Sequence, residues 1–447
     1  MNYFEAEAYL NSLQFHKIKL GLDAMRSFLD RVHRPELKLK FVHVAGTNGK
    51  GSVSMTLLTI LARLGYRVGL YTSPHLSSVR ERLRINDAYI GKEKFAEIAT
   101  RIKEVLGEEK ITYFEFTTAL ALLWFAESDL DLVILETGLG GRLDATNVVV
   151  PLVSVITNVS MDHEAYLGND LESIAFEKAG IIKAGVPVVS GTEEERTTGV
   201  IRQRCRELGA DLYQYGEAFA TEPAGDGAWK WRGLAGPLVG KDLSGLRCSM
   251  RGSYQIRNAS LSLAVLSLLA DGDFSATPAD IRAGLLQVHW PGRLEYIVLN
   301  RKSREQVFDP EPSGENLVHY LLDGAHNPAG VDSLVLTLME EYSYRRLIVV
   351  WGAMVDKDLA RTIPAIGAMA DRIIFTRPWG ERAAEPAQLQ ACLPASLQAK
   401  AELVADVTQA LLTAEKMAGP GDIIVVAGSL YLIGAVRTFL VGELVDQ

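Results

Sequence analysis

Phe41 to Ser52 reads FVHVAGTNGKGS, and this stretch dictates how the surrounding chain can fold. An apolar, β-rich run stops at a glycine-rich turn that carries one lysine and one serine. A helix-forming run, VSMTLLTILARLG, follows at once. Strand, glycine loop and helix form the context that a phosphate cradle needs. Glycines let backbone N–H groups approach a polyphosphate, and the helix N-terminus adds the positive end of its dipole. In this reading Gly46, Thr47, Asn48, Gly49 and Gly51 shape the cradle. Lys50 places a point charge on the outer phosphates, and Ser52 offers a hydroxyl to phosphate or Mg²⁺. The spacing departs from GxxxxGK[ST], which would need glycine at Val44, and Gly51 separates Lys50 from Ser52. The alternative is an ordinary tight turn between strand and helix. Three glycines, a lysine and a serine at one junction weigh against it.

Single hydrophobic cores stop growing near roughly 250–300 residues, so 447 residues imply two or three domains. A net charge of −9 gives no electrostatic support to nucleic-acid binding, and anionic substrates would need local positive charge. Cys205, Cys248 and Cys392 are far apart and form no CxxC, which fits a reducing compartment without zinc or a disulfide frame. The N-terminus, MNYFEAEAYL, has no basic region before an apolar one and does not read as a signal peptide. No apolar run reaches membrane-spanning length; Ile423–Val436 comes closest and is broken by Gly, Ser and Tyr. The expected location is the cytoplasm.

From Phe41 onward apolar β runs alternate with helical segments. Val68–Thr72, Asp131–Gly138, Pro151–Asn158 and Val186–Gly191 read as buried parallel strands, with helices such as Lys92–Leu106 and Thr117–Glu127 between them. The fold class is α/β, doubly wound. Between Glu217 and Gly252 short alternating runs rich in Gly and Trp predict a small antiparallel excursion. Helices at Asn258–Asp271 and Pro278–Gln287 follow. A second α/β series then runs to the C-terminus through VHYLLDG, RLIVVWG, RIIFTR, ELVAD and DIIVVAG. The domain boundary is expected near Glu295–Arg301, giving domains 1–296 and 297–447. Arg304–Asn316 reads as a surface loop.

Four further constellations can carry chemistry. In ETGLGGRLDATN, Glu136 ends a buried strand, a natural place for a Mg²⁺ ligand or for a cap on the next element. Arg142 and Asp144 can read a polar group. In NVSMDHEAYLGNDLESIAFEKAG, Asp162 and His163 follow a strand, and Lys178 lies on a helix beginning near Asp170. A lone histidine is more often structural and a lone helical lysine more often solvated. Lys178, however, adjoins an apolar run that could bury it, lower its pKa and open it to modification. In TSPHLSSVRERLRIN, Ser73 could add a hydroxyl to a metal held by Glu136. Arg80, Arg82 and Arg84 could bind anions or line a solvated strand. Near the domain junction, Asn258 is an N-cap candidate or a ligand contact, and Arg293 could clamp phosphate. Asp323 could bond a ribose and His326 could face a cleft between domains. Together these suggest one nucleotide held between two domains.

The motifs AGTNGKGS, TSPHL, YFEFTT, LETGLGGRLDATN, MDHEAYLG, FEKAGI, NAS, PGRLE, DGAHNP and GAMVDKD span nearly the whole chain. As a set they resemble the Mur ligase superfamily, and within it the dihydrofolate synthase/folylpolyglutamate synthase family. The shortened G-x-x-G-K-G-S loop is that family's own variant. The resemblance implies a P-loop N-terminal domain, a C-terminal Rossmann-like domain and an ATP-dependent amide ligase. Gly49 to Ser52 would bind ATP phosphates, and Asn258, Arg293 and Asp323 would also contact ATP. Ser73, Glu136 and His163 match magnesium positions. Lys178 matches a lysine that is carbamylated and supplies a carboxylate to a second Mg²⁺. Phe114 and Asp144 match pterin contacts of bifunctional members. With Arg142, they form the expected substrate group. Lys50, His163, Lys178 and His326 form the expected catalytic group.

The chemistry implied is phosphorylation of a carboxylate, attack by the amine of L-glutamate and loss of phosphate. Dihydropteroate and reduced folates would be the acceptors, acting with a monomeric enzyme. A monofunctional folylpolyglutamate synthase is the nearest alternative. A peptidoglycan Mur ligase is more distant, because those carry a nucleotide-sugar domain ahead of the loop and here its strand starts at Phe41. A P-loop regulator would bind nucleotide without glutamate-dependent phosphate release.

Overall fold

β1 (Phe41–Ala45) is the strand that the glycine loop requires, and every residue in it is buried. It lies at the middle of an eight-stranded sheet with β2 (Val68–Tyr71), β3 (Leu83–Ile85), β4 (Ala88–Tyr89), β5 (Leu132–Glu136), β6 (Val153–Ile156), β7 (Val188–Ser190) and β8 (Leu212–Gln214). The order is β4-β3-β2-β5-β1-β6-β7-β8. β2, β5, β1, β6, β7 and β8 run parallel, and β3 and β4 add an antiparallel edge. Val44 of β1 pairs with Glu136 of β5 and with Val155 of β6. The loops after these three strands therefore leave the same carboxyl edge, where open α/β sheets bind ligands. The computed structural model describes residues 1–13, 21–270, 272–308, 314, 316–443 and 445.

The antiparallel excursion is a three-stranded sheet of β9 (Phe219–Gly225), β10 (Ala228–Gly233) and β11 (Leu243–Leu246), ordered β11-β10-β9. Trp229 and Trp231 point inward from β10 and Lys230 and Arg232 outward, which is the period-2 alternation seen in the sequence. The third sheet holds β12 (Glu295–Asn300), β13 (Leu317–Leu322), β14 (Leu347–Trp351), β15 (Arg372–Phe375), β16 (Ala401–Leu403) and β17 (Ile423–Ala427), ordered β12-β13-β17-β14-β15-β16. β12 pairs antiparallel with β13, and the other neighbours are parallel.

The chain packs as two units. Met1–Pro74, Val79–Ser249 and Gln255–His289 form the first; His75–Ser78, Met250–Tyr254 and Trp290–Gln447 form the second. A boundary at 296/297 would cut β12, which pairs along its length with β13, so the second unit takes up earlier, at Trp290. Within the second unit Leu76 lies against Gly292 and Gly434. A Cβ on Gly434 would stand 2.1 Å from the Leu76 carbonyl oxygen.

Several boundaries differ from expectation. The helix expected at Thr117 starts at Tyr113, because Thr112 and Glu115 form a capping box, so Phe114 lies in its first turn. Asn258 is not an N-cap: its helix runs Ser253–Leu269 and carries Asn258 inside. Arg80 and Arg82 are buried in a 3₁₀ turn rather than lining a solvated strand. Arg80 Nε donates to the Ile90 carbonyl, and Arg82 stacks over Tyr113. The expected loop Arg304–Asn316 lies partly outside the described residues. Among the described residues no helix is long and apolar enough to cross a membrane. The three cysteines are free.

Candidate active site

The phosphate loop is held from the side by the segment after β6. Thr157 Oγ1 donates to the Asn48 carbonyl at 2.6 Å, and Asn48 N donates to Asn158 Oδ1 at 2.8 Å. Thr47 N reaches the Asn158 carbonyl at 3.1 Å, and Thr47 Oγ1 exchanges bonds with the Ser160 backbone. Two glycines are obligatory here. Gly46 has φ +152° and a Cβ on it would meet Thr157 Oγ1 at 1.8 Å. Gly49 has φ +81° and its Cβ would meet Asn258 Oδ1 at 2.4 Å. Gly49 opens the helix Lys50–Arg63 without a side-chain cap, at the end where the helix dipole favours an anion. Lys50 Nζ folds over the loop to the carbonyls of Gly46 and Thr47, both at 3.1 Å. Ser52 is buried in the first turn.

The loop after β5 is held from within. Asp144, 4% exposed, accepts from Gly138 N (2.9 Å) and Leu139 N (2.8 Å) on one oxygen. Its other oxygen accepts from Thr146 N (3.0 Å) and Thr146 Oγ1 (2.5 Å). Burial raises the carboxyl above its ordinary pKa, and these four donors oppose it. Phe114 closes on the loop, since a Cβ on Gly138 would meet its ring at 2.5 Å. Glu136, buried at the end of β5, accepts from Ser73 N at 3.3 Å. Arg142 turns away to pair with Glu177 at 2.8 Å over the Phe176 ring.

Lys178 ends the helix Leu171–Ala179, which Asp170 caps through Ser173 N. Gly141 and Gly180 let the loop lie on this helix. A Cβ on Gly141 would sit 2.9 Å from the Lys178 carbonyl, and one on Gly180 2.3 Å from Arg142 Cβ. Burial, then the nearby Lys50 cation, push the Lys178 ammonium down to about 7, with Asp162 and Asp144 pulling the other way. His163 is in the left-handed region at φ 53° and remains partly exposed beside Asp162. Among the described residues no three His, Cys, Asp or Glu side chains are grouped to hold a metal. The expected donor set contains two from that class, Glu136 and His163, with Ser73 and Lys178 completing it.

The second unit has its own cluster. Asp323, at the end of β13, accepts from Leu294 N and Ala325 N, both at 2.9 Å, and burial raises its carboxyl above the ordinary range. Gly324 admits Arg293: a Cβ there would stand 1.9 Å from Nη1. His326 Nδ1 is bonded to the Gly324 carbonyl at 2.7 Å, and Asn327 caps the helix Pro328–Glu341.

The Mur ligase middle domain matches residues 44–266, and the Mur ligase glutamate ligase domain matches residues 310–430. The dihydrofolate synthase/folylpolyglutamate synthase of Bacillus subtilis is 34% identical over 97% of this chain and 98% of its own length. The chain belongs to the dihydrofolate synthase/folylpolyglutamate synthase family of Mur ligases. A probable bifunctional folylpolyglutamate synthase/dihydropteroate synthase of Haloferax volcanii is 35% identical, and this chain spans about half, 50%, of its length. Escherichia coli FolC, solved in complex with DHPP and ADP, superposes with a TM-score of 0.85 at 31% identity over 98% of each chain. A bifunctional folylpolyglutamate synthase/dihydrofolate synthase solved with Mn, AMPPNP and L-glutamate gives 0.83 at 33% identity, covering 97% of this chain and 98% of its own.

Reading this ligase from sequence missed the groups beneath its loops. His43, on β1, is 0% exposed and bonds Thr146 Oγ1 at 2.8 Å. Asn147 Nδ2 ties the Arg142 and Gly180 carbonyls at 3.0 Å each, and Lys183 bonds Asn147 Oδ1 at 2.7 Å. Thr157 and Asn158 clamp the phosphate loop. The one signal available was the polar residue at position 43 inside the FVHVA strand.

Proposed function

We propose that this chain is an ATP- and divalent-cation-dependent ligase that joins L-glutamate to dihydropteroate and to reduced folates through an acyl phosphate. The reading is carried by a buried lysine near neutrality that feels both Lys50 of the phosphate loop and Asp144 of the second glycine loop. The phosphate loop suits ATP: two positive-φ glycines let its backbone pack tightly against Thr157 and Asn258, and the helix that follows opens without a side-chain cap. Lys50, Gly49, Gly51 and Ser52 hold the phosphates in this reading, and Asn258 adjoins them through Gly49. Arg293 and Asp323 are assigned to the nucleotide, and His326 to the second unit's part in the chemistry.

Ser73, Glu136 and His163 suit a hard cation that keeps several waters, so a sparse set of protein donors is enough. The cations would neutralise charge on the transferred phosphoryl group. A neutral Lys178 amine adds to the carbon of CO₂ and loses a proton, which turns a repelling cation into an oxygen donor for a second ion. The acceptor carboxylate is a poor electrophile until its oxygen takes the γ-phosphoryl group of ATP. The amine of L-glutamate then attacks the acyl carbon, loses a proton and expels phosphate. Positioning and fixed charge supply most of the acceleration in such transfers. Phe114, Asp144 and Arg142 are assigned to the pterin acceptor. Asp144 acts by shaping the loop, since both its oxygens are engaged by that loop. The enzyme is read as a cytoplasmic monomer.

Phosphate release should depend on L-glutamate with dihydropteroate and with reduced mono- and polyglutamylated folates. Release with folates alone points to a monofunctional synthase, and absence of glutamate dependence with every acceptor overturns the reading.

A further inference from the structure

His43 is an imidazole in a strand whose neighbours, Val42 and Val44, are apolar and buried. Its Nε2 lies 2.8 Å from Thr146 Oγ1, and Thr146 Oγ1 lies 2.5 Å from Asp144 Oδ1. Its Nδ1 is buried with no hydrogen-bond partner. Proton bookkeeping fixes the direction of this chain. The Thr146 hydroxyl has one proton, and the carboxylate can only accept it, so Thr146 Oγ1 must accept from Nε2–H. Burial, then Lys183, push the imidazole pKa down to about 3, so the ring is neutral and carries its proton on Nε2. The Nδ1 lone pair is thereby left buried and unpaired, a cost that valine or leucine at this position would avoid.

We infer that His43 is a positioning residue for the acceptor substrate: its Nε2–H holds the Thr146 hydroxyl, which in turn fixes Asp144 and, through it, the N–H groups of Gly138 and Leu139. His43 touches no part of the loop surface itself. It sets the rotor of one hydroxyl, the one side-chain donor among the four groups that hold the carboxylate under the loop. The inference rests on the reading that loop 138–147 meets the acceptor.

Steady-state kinetics on the full-length protein test it, with ATP, L-glutamate, dihydropteroate and tetrahydrofolate varied in turn. His43→Leu and the near-isosteric Thr146→Val should each raise the acceptor KM about tenfold, the scale of one lost buried hydrogen bond. The KM for ATP should stay within about twofold, and the double variant should be no worse than either single one, because both break the same chain. His43→Gln, which keeps a donor near the Nε2 position, should stay within about threefold of the parent. Equal effects on ATP and acceptor, or full additivity, overturn the inference. An Asp144→Asn arm separates the two readings. If that variant raises the acceptor KM while His43→Leu does not, the inference falls and the acceptor assignment stands. If neither moves it, both fall. Should the variants fail to fold, imidazole ¹⁵N shifts of the parent protein decide: an Nε2–H tautomer at neutral pH is expected, and an Nδ1–H tautomer or an imidazolium overturns the proposal.

Discussion

Two glycine-rich loops leave the same edge of one sheet, and they are stabilised in opposite ways. The loop after β1 is clamped from outside, by Thr157, Asn158 and Ser160, and its helix starts without a side-chain cap. The loop after β5 folds around its own carboxylate, with the N–H groups of Gly138 and Leu139 converging on Asp144. A loop that carries its own anion has its donors occupied and offers shape. A loop without one has an open dipole end and offers charge. In the proposed reading the first takes the phosphates and the second takes the pterin acceptor beside Phe114. Lys178 stands electrostatically between them, depressed by the cation of one loop and supported by the carboxylate of the other.

The largest test of this contrast is Lys178→Ala. It should lower ligation roughly 10²–10³-fold, the scale of removing one preorganised electrostatic group, with partial rescue by small carboxylates. Full activity in that variant removes the carbamate and its bridging role. Gly49→Ala should strike the charge-binding loop alone. Strain at φ +81° and the clash with Asn258 should weaken AMPPNP binding by calorimetry roughly 10- to 100-fold, with acceptor KM nearly unchanged. Asp144→Ala should do the reverse, raising the dihydropteroate KM about tenfold with little change in ATP affinity. Equal loss of both substrates there would erase the distinction between the loops. The smallest effect belongs to a site outside both. Asp422 is held down to about 2, because bonds from Arg346, Arg345 and Gly419 N outweigh its burial. A depressed carboxyl stabilises above its ordinary pKa and loses that contribution as pH falls toward 2. Asp422→Asn should therefore cost about 2 kcal/mol in urea unfolding at pH 7, a gap that closes toward pH 2, with kinetics unchanged.

Strand positions, the antiparallel excursion and the second α/β series were legible because apolar period and turn residues are local signals. Lys178 was legible for a similar reason: flanking Ala179, Gly180 and Ile181 announce a buried helix end. Arg80 and Arg82 were not, since alternating charge looks solvated and their burial depends on Ile90 and Tyr113 from elsewhere in the chain. Asn258 was misplaced because the continuous apolar run follows it, whereas the helix already starts at Ser253 through a mixed SYQIR stretch. His43 and Thr146 escaped for the same physical reason. They lie in separate elements, and a hydrogen bond between them leaves no period in the sequence. Asp144 was expected to read a polar group of a ligand; its saturation by its own loop appears only in three dimensions.

The short segment at Leu76 has a consequence for how the molecule can be taken apart. The second unit incorporates residues 75–78 and 250–254, both of which are interruptions within the first. No single cleavage point yields two complete pieces, and an isolated fragment beginning at Trp290 would lack Leu76, whose backbone lies against Gly434 and whose side chain lies against Gly292. Modularity in this enzyme is a property of its sheets and not of its chain. Transplanting either half into another ligase would require grafting three stretches at once.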